Sequence, residues 1–450
     1  MHEFEFYNPT RIVMATNACQ HLPRLIPAQA KVMLVYGQES IKKYGIYDQV
    51  CQALTQSNCK IIEFGGITPN PDISKLVEAI YLARKEEVTY LLAVGGGSVI
   101  DATKFIASYI NFEQFDILLY DLESETFAIA EQEVLFSEHN AEFRNSPVPF
   151  GVVLTCPGTG SEMNKWAVIS DKYRNLKADF GHEDQFPQFA LLDPTLTLSL
   201  PASQISYGVV DTFIHVLEQY LIHNQAAQSA NSLTTQIAES ILCTIMKYGP
   251  LTLAHPQDLT YRAEYMWAAA IALCGLPSLG LEAEDWSTHQ IGHMLTALFD
   301  IPHAPSLALV MCNNLHLRKQ HKQQRLVSFA RQVLGLQRSK SSDERLAAIS
   351  IQAIHDFMKN MGLATCLKEK VYQHLDIKAI PETVRKIMQE RQIVGFGEYQ
   401  QVTPELTYSI LQLALQKPFY ARRRRFTRKN NTDRSINTKQ NKEYTVVSPK

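Results

Sequence analysis

Five residues in two short stretches have the types and the spacing to share a cation. GVVDTFIHVLEQY, residues 208 to 220, carries Asp211 and His215 four apart. GLEAEDWSTHQIGHMLTALFDIPHAPSLAL, residues 280 to 309, carries His289 and His293 four apart, with His303 beyond them. On a helix, a spacing of four puts two side chains on one face. Neutral imidazole nitrogen and carboxylate oxygen are common protein ligands of divalent transition metals, so the chemistry these residues suit is the binding of one such ion. A single histidine on an apolar helix is ordinarily a core residue hydrogen-bonded to its surroundings. Four imidazoles and a carboxylate within two apolar stretches ask for a common partner. The two i, i+4 pairs make Asp211, His215, His289 and His293 the simplest set, yet spacing does not decide which three or four groups bind.

Two glycine-rich turns offer a second chemistry. In LLAVGGGSVIDATKFIA, Gly95, Gly96 and Gly97 follow an apolar strand and allow close approach of backbone to phosphate. Ser98 is expected to cap a helix starting at Val99 whose amides point outward. The strand PFGVVLTC leads into PGTGSEMN, a stretch containing Thr155, Gly160 and Ser161. Neither turn is the dinucleotide fingerprint or the phosphate loop as usually written. Two such turns after two apolar strands fit one cofactor better than either does alone. Lys177 lies in a polar stretch beyond the second turn, where composition reads it as a solvated charge.

The elements that must position these residues follow from periodicity. MHEFEFYNPTRIVMA alternates as a strand; KVMLVYG, KIIEFGGI, TYLLAVGGGS and FALLD are apolar strands; IYDQVCQALTQS and ISKLVEAIYLARKEE are amphipathic helices. That alternation predicts an α/β domain over residues 1–200, a parallel sheet with helices on its faces and a ligand crevice at the carboxyl ends of its strands. After Pro201 the period becomes 3.6, with helices expected at 202–223, 226–248, 258–275, 283–299, 304–334, 341–361 and 403–416. An all-α domain over 201–421 therefore holds the histidine helices and faces the glycine turns across a cleft. Residues 121–147 lack a period and are expected as an insertion, a hairpin or a loop.

Composition excludes several functions. The 450 residues are 46% hydrophobic and 20% charged, ordinary for a globular protein with two sizeable cores. Residues 417–450 hold eleven of the 43 basic groups but two of the 45 acidic ones, which leaves the body with 32 and 43 and a net charge of −11. A nucleic-acid backbone is thus an unsuitable partner for the body, and only the basic, aperiodic tail from 422 to 450, expected to be disordered, could attempt one. Eight scattered cysteines without a Cys-x-x-Cys pair point to reduced thiols. No apolar run approaches a membrane span, and the acidic N-terminus is not a signal peptide. A cytoplasmic protein is expected.

Together these segments resemble the iron-containing alcohol dehydrogenases, in the branch of butanol dehydrogenases and NADPH-dependent aldehyde reductases, over most of residues 3 to 416. The resemblance is carried by EFGGITPNP, LLAVGGGSVIDATKF, TGSEMN, LPASQISYGVVDTFIHVLEQY and DWSTHQIGHMLTALFDIPHAPSLAL, five motifs in the family's order. It implies the dehydroquinate synthase-like fold and a metal held by Asp211, His215, His289 and His303. His293 then becomes a second, catalytic histidine near the substrate. It also implies cofactor contacts from Gly37, Gln38, Ser40, Gly95, Gly96, Gly97, Ser98, Asp101, Thr155, Gly160, Ser161 and Lys177. The implied reaction is hydride transfer between NAD(P)H and a small aldehyde or primary alcohol, by a homodimer. Fe2+, Zn2+, Mn2+ and Ni2+ all suit the donors.

Three departures stand out. YGQES replaces a Gly-rich loop near the adenosine ribose; uncharged Gln38, where NAD-using relatives tend to carry Asp, favours NADP(H), while Glu39 opposes it. The 121–147 insertion is longer than in the family, and the arginine-rich tail replaces a closing helix. Competing readings are a polyol- or phosphorylated-acid enzyme of the same fold, like glycerol dehydrogenase or dehydroquinate synthase, and a binding protein acting through its tail.

Overall fold

The computed structural model describes residues 3–111, 146–223 and 232–416. The expected insertion, apart from Ser146 and Pro147, and the expected basic tail lie outside the described residues. Six strands form one parallel sheet: β1 (Arg11–Met14), β2 (Lys31–Tyr36), β3 (Lys60–Phe64), β4 (Tyr90–Gly96), β5 (Phe150–Cys156) and β8 (Phe189–Leu192). Their order is β1-β8-β5-β4-β2-β3, parallel throughout.

The sheet's apolar runs have a direct physical cause. Met33, Val35, Leu91, Ala93, Val152 and Leu154 point to one face, against Leu76 and Ile80 of α4 (Ile73–Lys85) and Ile100 and Phe105 of α5 (Gly97–Tyr109). Their neighbours Val32, Leu34, Leu92, Val94 and Val153 point to the other, against Leu22 of α1 (Leu22–Leu25), Ile41 of α2 (Ser40–Lys43), and Val50 and Leu54 of α3 (Ile46–Gln56). With both faces covered, alternation disappears and the strands read as continuous hydrophobic stretches. The chain leaves β2 outward to β3 and returns on the other side of β2 as β4. That reversal opens a crevice at the carboxyl ends of β2 and β4, where Gly37 and Gly95–Gly97 lie.

Two expectations in this half are corrected. The N-terminal strand is confined to Arg11–Met14, because only there does β8 supply a partner ladder. Ser98 is not a helix cap: Gly96 is extended at φ −100°, α5 starts at Gly97, and Ser98 falls inside the first turn. An antiparallel hairpin, β6 (Trp166–Asp171) with β7 (Leu176–Gly181), also appears where polar residues masked any strand pattern.

The second half is helical: α6 (Ala202–Tyr220), α7 (Leu233–Ala254), α8 (Leu259–Ile271), α9 (Ser287–Phe299), α10 (His303–Leu317), α11 (Gln323–Gln332), α12 (Asp343–Asn360), α13 (Ile380–Glu390) and α14 (Pro404–Ala414). Val209, Phe213 and Leu217 of α6 pack with Leu242 and Ile245 of α7, Leu307 and Met311 of α10 and Phe357 of α12 in a single apolar core. The single helix expected at 304–334 is two helices. Between them Arg318 and Lys322 turn inward, 7% and 2% exposed, to buried Asp285 and Glu398. No helix among the described residues is long and apolar enough to cross a membrane.

Candidate active site

α6 supplies the first wall of the site. Its buried face carries Asp211 and His215 one turn apart, and α9 brings His289 alongside so that the rings of His215 and His289 stack, centroids 4.5 Å apart. Asp211, His215 and His289 each present one ligand atom within 4.8 Å of the others. His303, the first residue of α10, stands outside that trio, yet its Nε2 is 3.4 Å from Asp211 Oδ1. The Nε2 atoms of His289 and His215 lie 3.6 and 3.8 Å from the same oxygen. Four ligands at about 2.1 Å from a tetrahedral ion stand about 3.4 Å from one another, so these separations fit.

Hydrogen bonding supports the same fit. Asp211 Oδ1 and His289 Nε2 are buried with no hydrogen-bond partner among the described residues, an arrangement that costs free energy unless another partner compensates it. Burial opposes ionisation of Asp211, but the imidazoles of His215 and His303 hold its carboxyl well below the usual carboxylate range. Burial pushes His215 down to about 3 and His303 to about 4, which leaves both rings neutral with a lone pair to give. Burial acts the same way on His289, yet the nearby carboxylates Glu218 and Asp211 raise it to about 9.

His293 stands one helical turn beyond His289 on α9. Its ring centroid is 6.3 Å from that of His289 and 5.3 Å from that of His303. Burial, then the charge of Lys177, keeps it well below the ordinary histidine range and therefore neutral. His303, the member that spacing left out of the simplest quartet, brings its Nε2 to 3.4 Å from Asp211 Oδ1, because the turn after α9 folds back and starts α10 beside Asp211.

The glycine turns abut this cluster through backbone contacts. A Cβ on Gly97 would sit 2.4 Å from Thr159 Cγ2, so the two turns touch because residue 97 has no side chain. The second turn packs in the same way on α6, where a Cβ on Gly208 would come within 2.4 Å of Pro157 O. Thr212 Oγ1 donates to Gly158 O at 2.8 Å, and Tyr265 Oη donates to Pro157 O at 2.9 Å. Gly160 has φ +64°, and Thr155 is half-buried at the end of β5.

Other expected cofactor residues fall into two groups. Asp101 and Ser161 come together, but on each other: Ser161 Oγ donates to Asp101 Oδ1 at 2.6 Å, and Val168 N donates to Oδ2 at 3.1 Å. Beneath them Lys104, fully buried, donates to Ser161 Oγ, Asn164 Oδ1 and Trp166 O. These groups brace the turns. Gln38 and Ser40 are exposed at the end of β2, beside half-buried Gly37. Lys177 is not the solvated charge its neighbours suggested: it is half-buried on β7, where burial pushes it down to about 8 while Asp211 and Asp101 pull it up. Its charge thus reaches both the glycine turn and the histidine cluster.

Sequence reasoning did not single out Glu218. It is 3% exposed and pairs with His289 Nδ1, and its only trace in the sequence is a place three residues after His215.

The chain matches the family described as iron-containing alcohol dehydrogenase over residues 9–194, and that family's C-terminal region over residues 205–415. It is 37% identical over 414 residues to the NADPH-dependent aldehyde reductase YqhD of Escherichia coli (strain K12), which covers 92% of this chain and 100% of the relative. It is 31% identical to probable NADH-dependent butanol dehydrogenase 1 of Bacillus subtilis (strain 168), again over 92% of this chain and 100% of the relative. The crystal structure of NADH-dependent butanol dehydrogenase A from Thermotoga maritima superposes with a TM-score of 0.79 at 30% identity, covering 92% of this chain and 99% of that one. With both halves matched and the relatives spanned end to end, this chain belongs to the iron-containing alcohol dehydrogenase family, in its branch of butanol dehydrogenases and NADPH-dependent aldehyde reductases.

Proposed function

We propose that this chain is a metal-dependent oxidoreductase that moves a hydride between NADP(H) and a small aldehyde or primary alcohol. The observation that carries the reading is Asp211 Oδ1, buried with no hydrogen-bond partner among the described residues and faced by Nε2 of His215, His289 and His303. Those four residues would hold one divalent ion, with Fe2+ or Zn2+ first and Mn2+ or Ni2+ also suited. When bound, the metal supplies Lewis-acid polarisation of a substrate oxygen and the nicotinamide supplies the hydride.

The protein's own part is positioning and charge. The amides of Gly97, Ser98 and Val99, which open α5 and find no carbonyl within its own turns, would receive a pyrophosphate. Lys177 adds positive charge between that turn and the cluster. His293, neutral and half-buried beside His303, would relay a proton from water to the substrate oxygen during reduction, taking one up at one ring nitrogen as it gives the other up. NADP(H) is favoured because exposed Gln38 brings no carboxylate to repel a 2′-phosphate and Ser40 opens α2 nearby; Glu39 is the opposing feature. Mainly apolar surroundings, GLPSLGLEAEDW and MLTALF, favour a simple aldehyde over a polyol. A homodimer in a reducing, cytoplasmic compartment completes the reading, and eight free thiols suit that compartment.

The test is a panel of aldehydes and alcohols with NADPH and NADH, on protein whose metal content has been measured. Reduction of short aliphatic aldehydes, with a lower KM for NADPH than for NADH, is expected. A metal-loaded protein that turns over none of them with either nicotinamide overturns the proposal.

A further inference from the structure

We infer that Glu218 is a positioning residue that selects the tautomer of His289 and ties together the two helices bearing the cation's ligands. The inference rests on the reading of Asp211, His215, His289 and His303 as those ligands. Asp211, His215 and Glu218 follow one another at spacings of four and three, so all three share a face of α6. Glu218 is buried, and its three contacts fall on the single turn that leads into α9. Its Oε1 accepts from Thr288 N at 2.6 Å, Oε2 pairs with His289 Nδ1, and its carbonyl accepts from Asp285 N at 3.2 Å.

Each contact has a physical consequence. Thr288 N–H is one of the first amides of α9, which has no partner within its own helix, and Trp286 at the cap position offers no side-chain bond. A carboxylate from α6 therefore caps α9 from outside and complements the positive end of its dipole. The bond to Nδ1 decides the tautomer. A carboxylate accepts and cannot donate, so a proton stays on Nδ1, and the nitrogen left to exchange its own proton for a cation is Nε2, 3.6 Å from Asp211 Oδ1. The opposite tautomer would set two acceptors against each other at Oε2 and Nδ1. A carboxylate on the far nitrogen of a ligating histidine also raises its basicity. His289 differs here from the other imidazoles, because the Nδ1 atoms of His215 and His303 are buried with no hydrogen-bond partner among the described residues. His289 is the ligand whose direction the protein fixes in advance.

The experiment compares the unaltered enzyme with Glu218→Gln, Glu218→Asp and Asp211→Ala. It reads metal stoichiometry, the rate of metal transfer to a chelator, KM for the nicotinamide, and melting temperature with and without metal. Glu218→Gln turns an amide donor toward one of its two donors, and Glu218→Asp keeps the charge but falls short of both. Both are expected to weaken metal retention by about 10- to 100-fold and to shrink the rise in melting temperature on metal binding, with KM for the nicotinamide unchanged. If Asp211→Ala loses the metal while both Glu218 variants release it at the unaltered rate, the inference fails and the ligand reading stands. A lower melting point in every form with an unchanged metal-induced rise assigns Glu218 a structural role only, which also overturns the inference. If Asp211→Ala retains the metal in full, the ligand reading falls and takes the inference with it.

Discussion

Replacing Gly97 with Ala should weaken cofactor binding without emptying the metal site. The added Cβ lies 2.4 Å from Thr159 Cγ2 and 2.5 Å from its Oγ1. Ordinary contact between carbons is about 3.5–4.0 Å, so Thr159 must retreat by about 1 Å or more. Its neighbours block that retreat. A Cβ on Gly158 would already meet Gly208 Cα at 2.8 Å, and Gly160 is fixed at φ +64° with Ala269 O at 3.0 Å from its Cβ position. Overpacking at a site that cannot relax costs about 1–3 kcal/mol. An opposing gain exists, because Ala is favoured over Gly in a helix by up to about 1 kcal/mol. Both terms act on the folded chain with or without cofactor, so the clash enters the binding equilibrium only through the turn: the free protein relieves it by displacing the turn, and nucleotide binding must restore the turn at the cost of that strain. A midpoint loss of about 2 kcal/mol corresponds to about a 30-fold higher Kd for NADPH, measured by nicotinamide fluorescence with metal content assayed in parallel. Thr159→Gly should restore most of the loss, and the double-mutant cycle isolates the clash from other effects. An unaltered Kd in the single variant, or no coupling in the cycle, refutes the claim that the two turns fix one another.

Other consequences can be measured on the same protein. His303→Ala should reduce metal retention by at least about 100-fold, whereas His293→Phe should keep the metal and lower turnover by about 100-fold; equal metal loss in both would show that the ring near Asp211 had been misassigned. Chelation should abolish turnover and lower the melting temperature, by an amount matching about 2.7 kcal/mol when free ion is restored to 100 times Kd, and scanning calorimetry before and after readdition checks it. Burial opposes the charge on Asp285, but Lys322 and Arg318 overcome it and hold the carboxyl at about 2, below its ordinary 3.8. A depressed carboxylate stabilises the fold above its unfolded value and loses that contribution as pH falls from about 4 through 2. Asp285→Asn should therefore remove about 2–3 kcal/mol at pH 7 and flatten stability against pH between about 5 and 2; a parallel curve would contradict it.

What the sequence made legible follows from what periodicity can carry. β2 and β4 were readable because both faces are covered, so KVMLVY and YLLAV contain almost no polar residue to confuse the period. β6 and β7 were not, since every residue of LKADFG stays at least partly exposed and the polar Lys177 and Asp179 leave no clear alternation to read. The break between α10 and α11 was hidden for a related reason. Arg318 and Lys322 read as surface cations, and only tertiary structure supplies the buried Asp285 and Glu398 they answer. α13 was within reach, because Ile380, Val384 and Met388 recur every four residues and all are buried. In the site, spacing alone offered His293 as readily as His303, since a turn that reverses the chain between two helices leaves no period to count. Ser98 shows the limit of cap rules: a glycine run lets the strand pass into a helix two residues early, and the hydroxyl lands inside the first turn.

The coupling of the two halves depends on one helix crossing. α6 places Asp211, His215 and Glu218 on the side facing α9, while Gly208 and Thr212 face the second glycine turn through Pro157 O and Gly158 O. On the proposed ligand set, the same rigid rod would set both the cation's position and the height of the turn offered to the nucleotide. A side chain at 208 would have to push that turn outward, since Pro157 O at 2.4 Å is backbone and cannot rotate aside, and Tyr265 Oη at 2.5 Å is bonded to that same oxygen. Displacing a reacting group by about 1 Å costs about 100-fold in rate, so the separation of hydride donor and acceptor must be held more tightly than flexible side chains allow. Contacts between a glycine and a carbonyl provide that tolerance, whereas a packed pair of longer residues would let the two halves breathe. On that proposal, the small residues at the crossing would govern the distance over which the hydride moves, and the histidines and carboxylates would govern where it arrives.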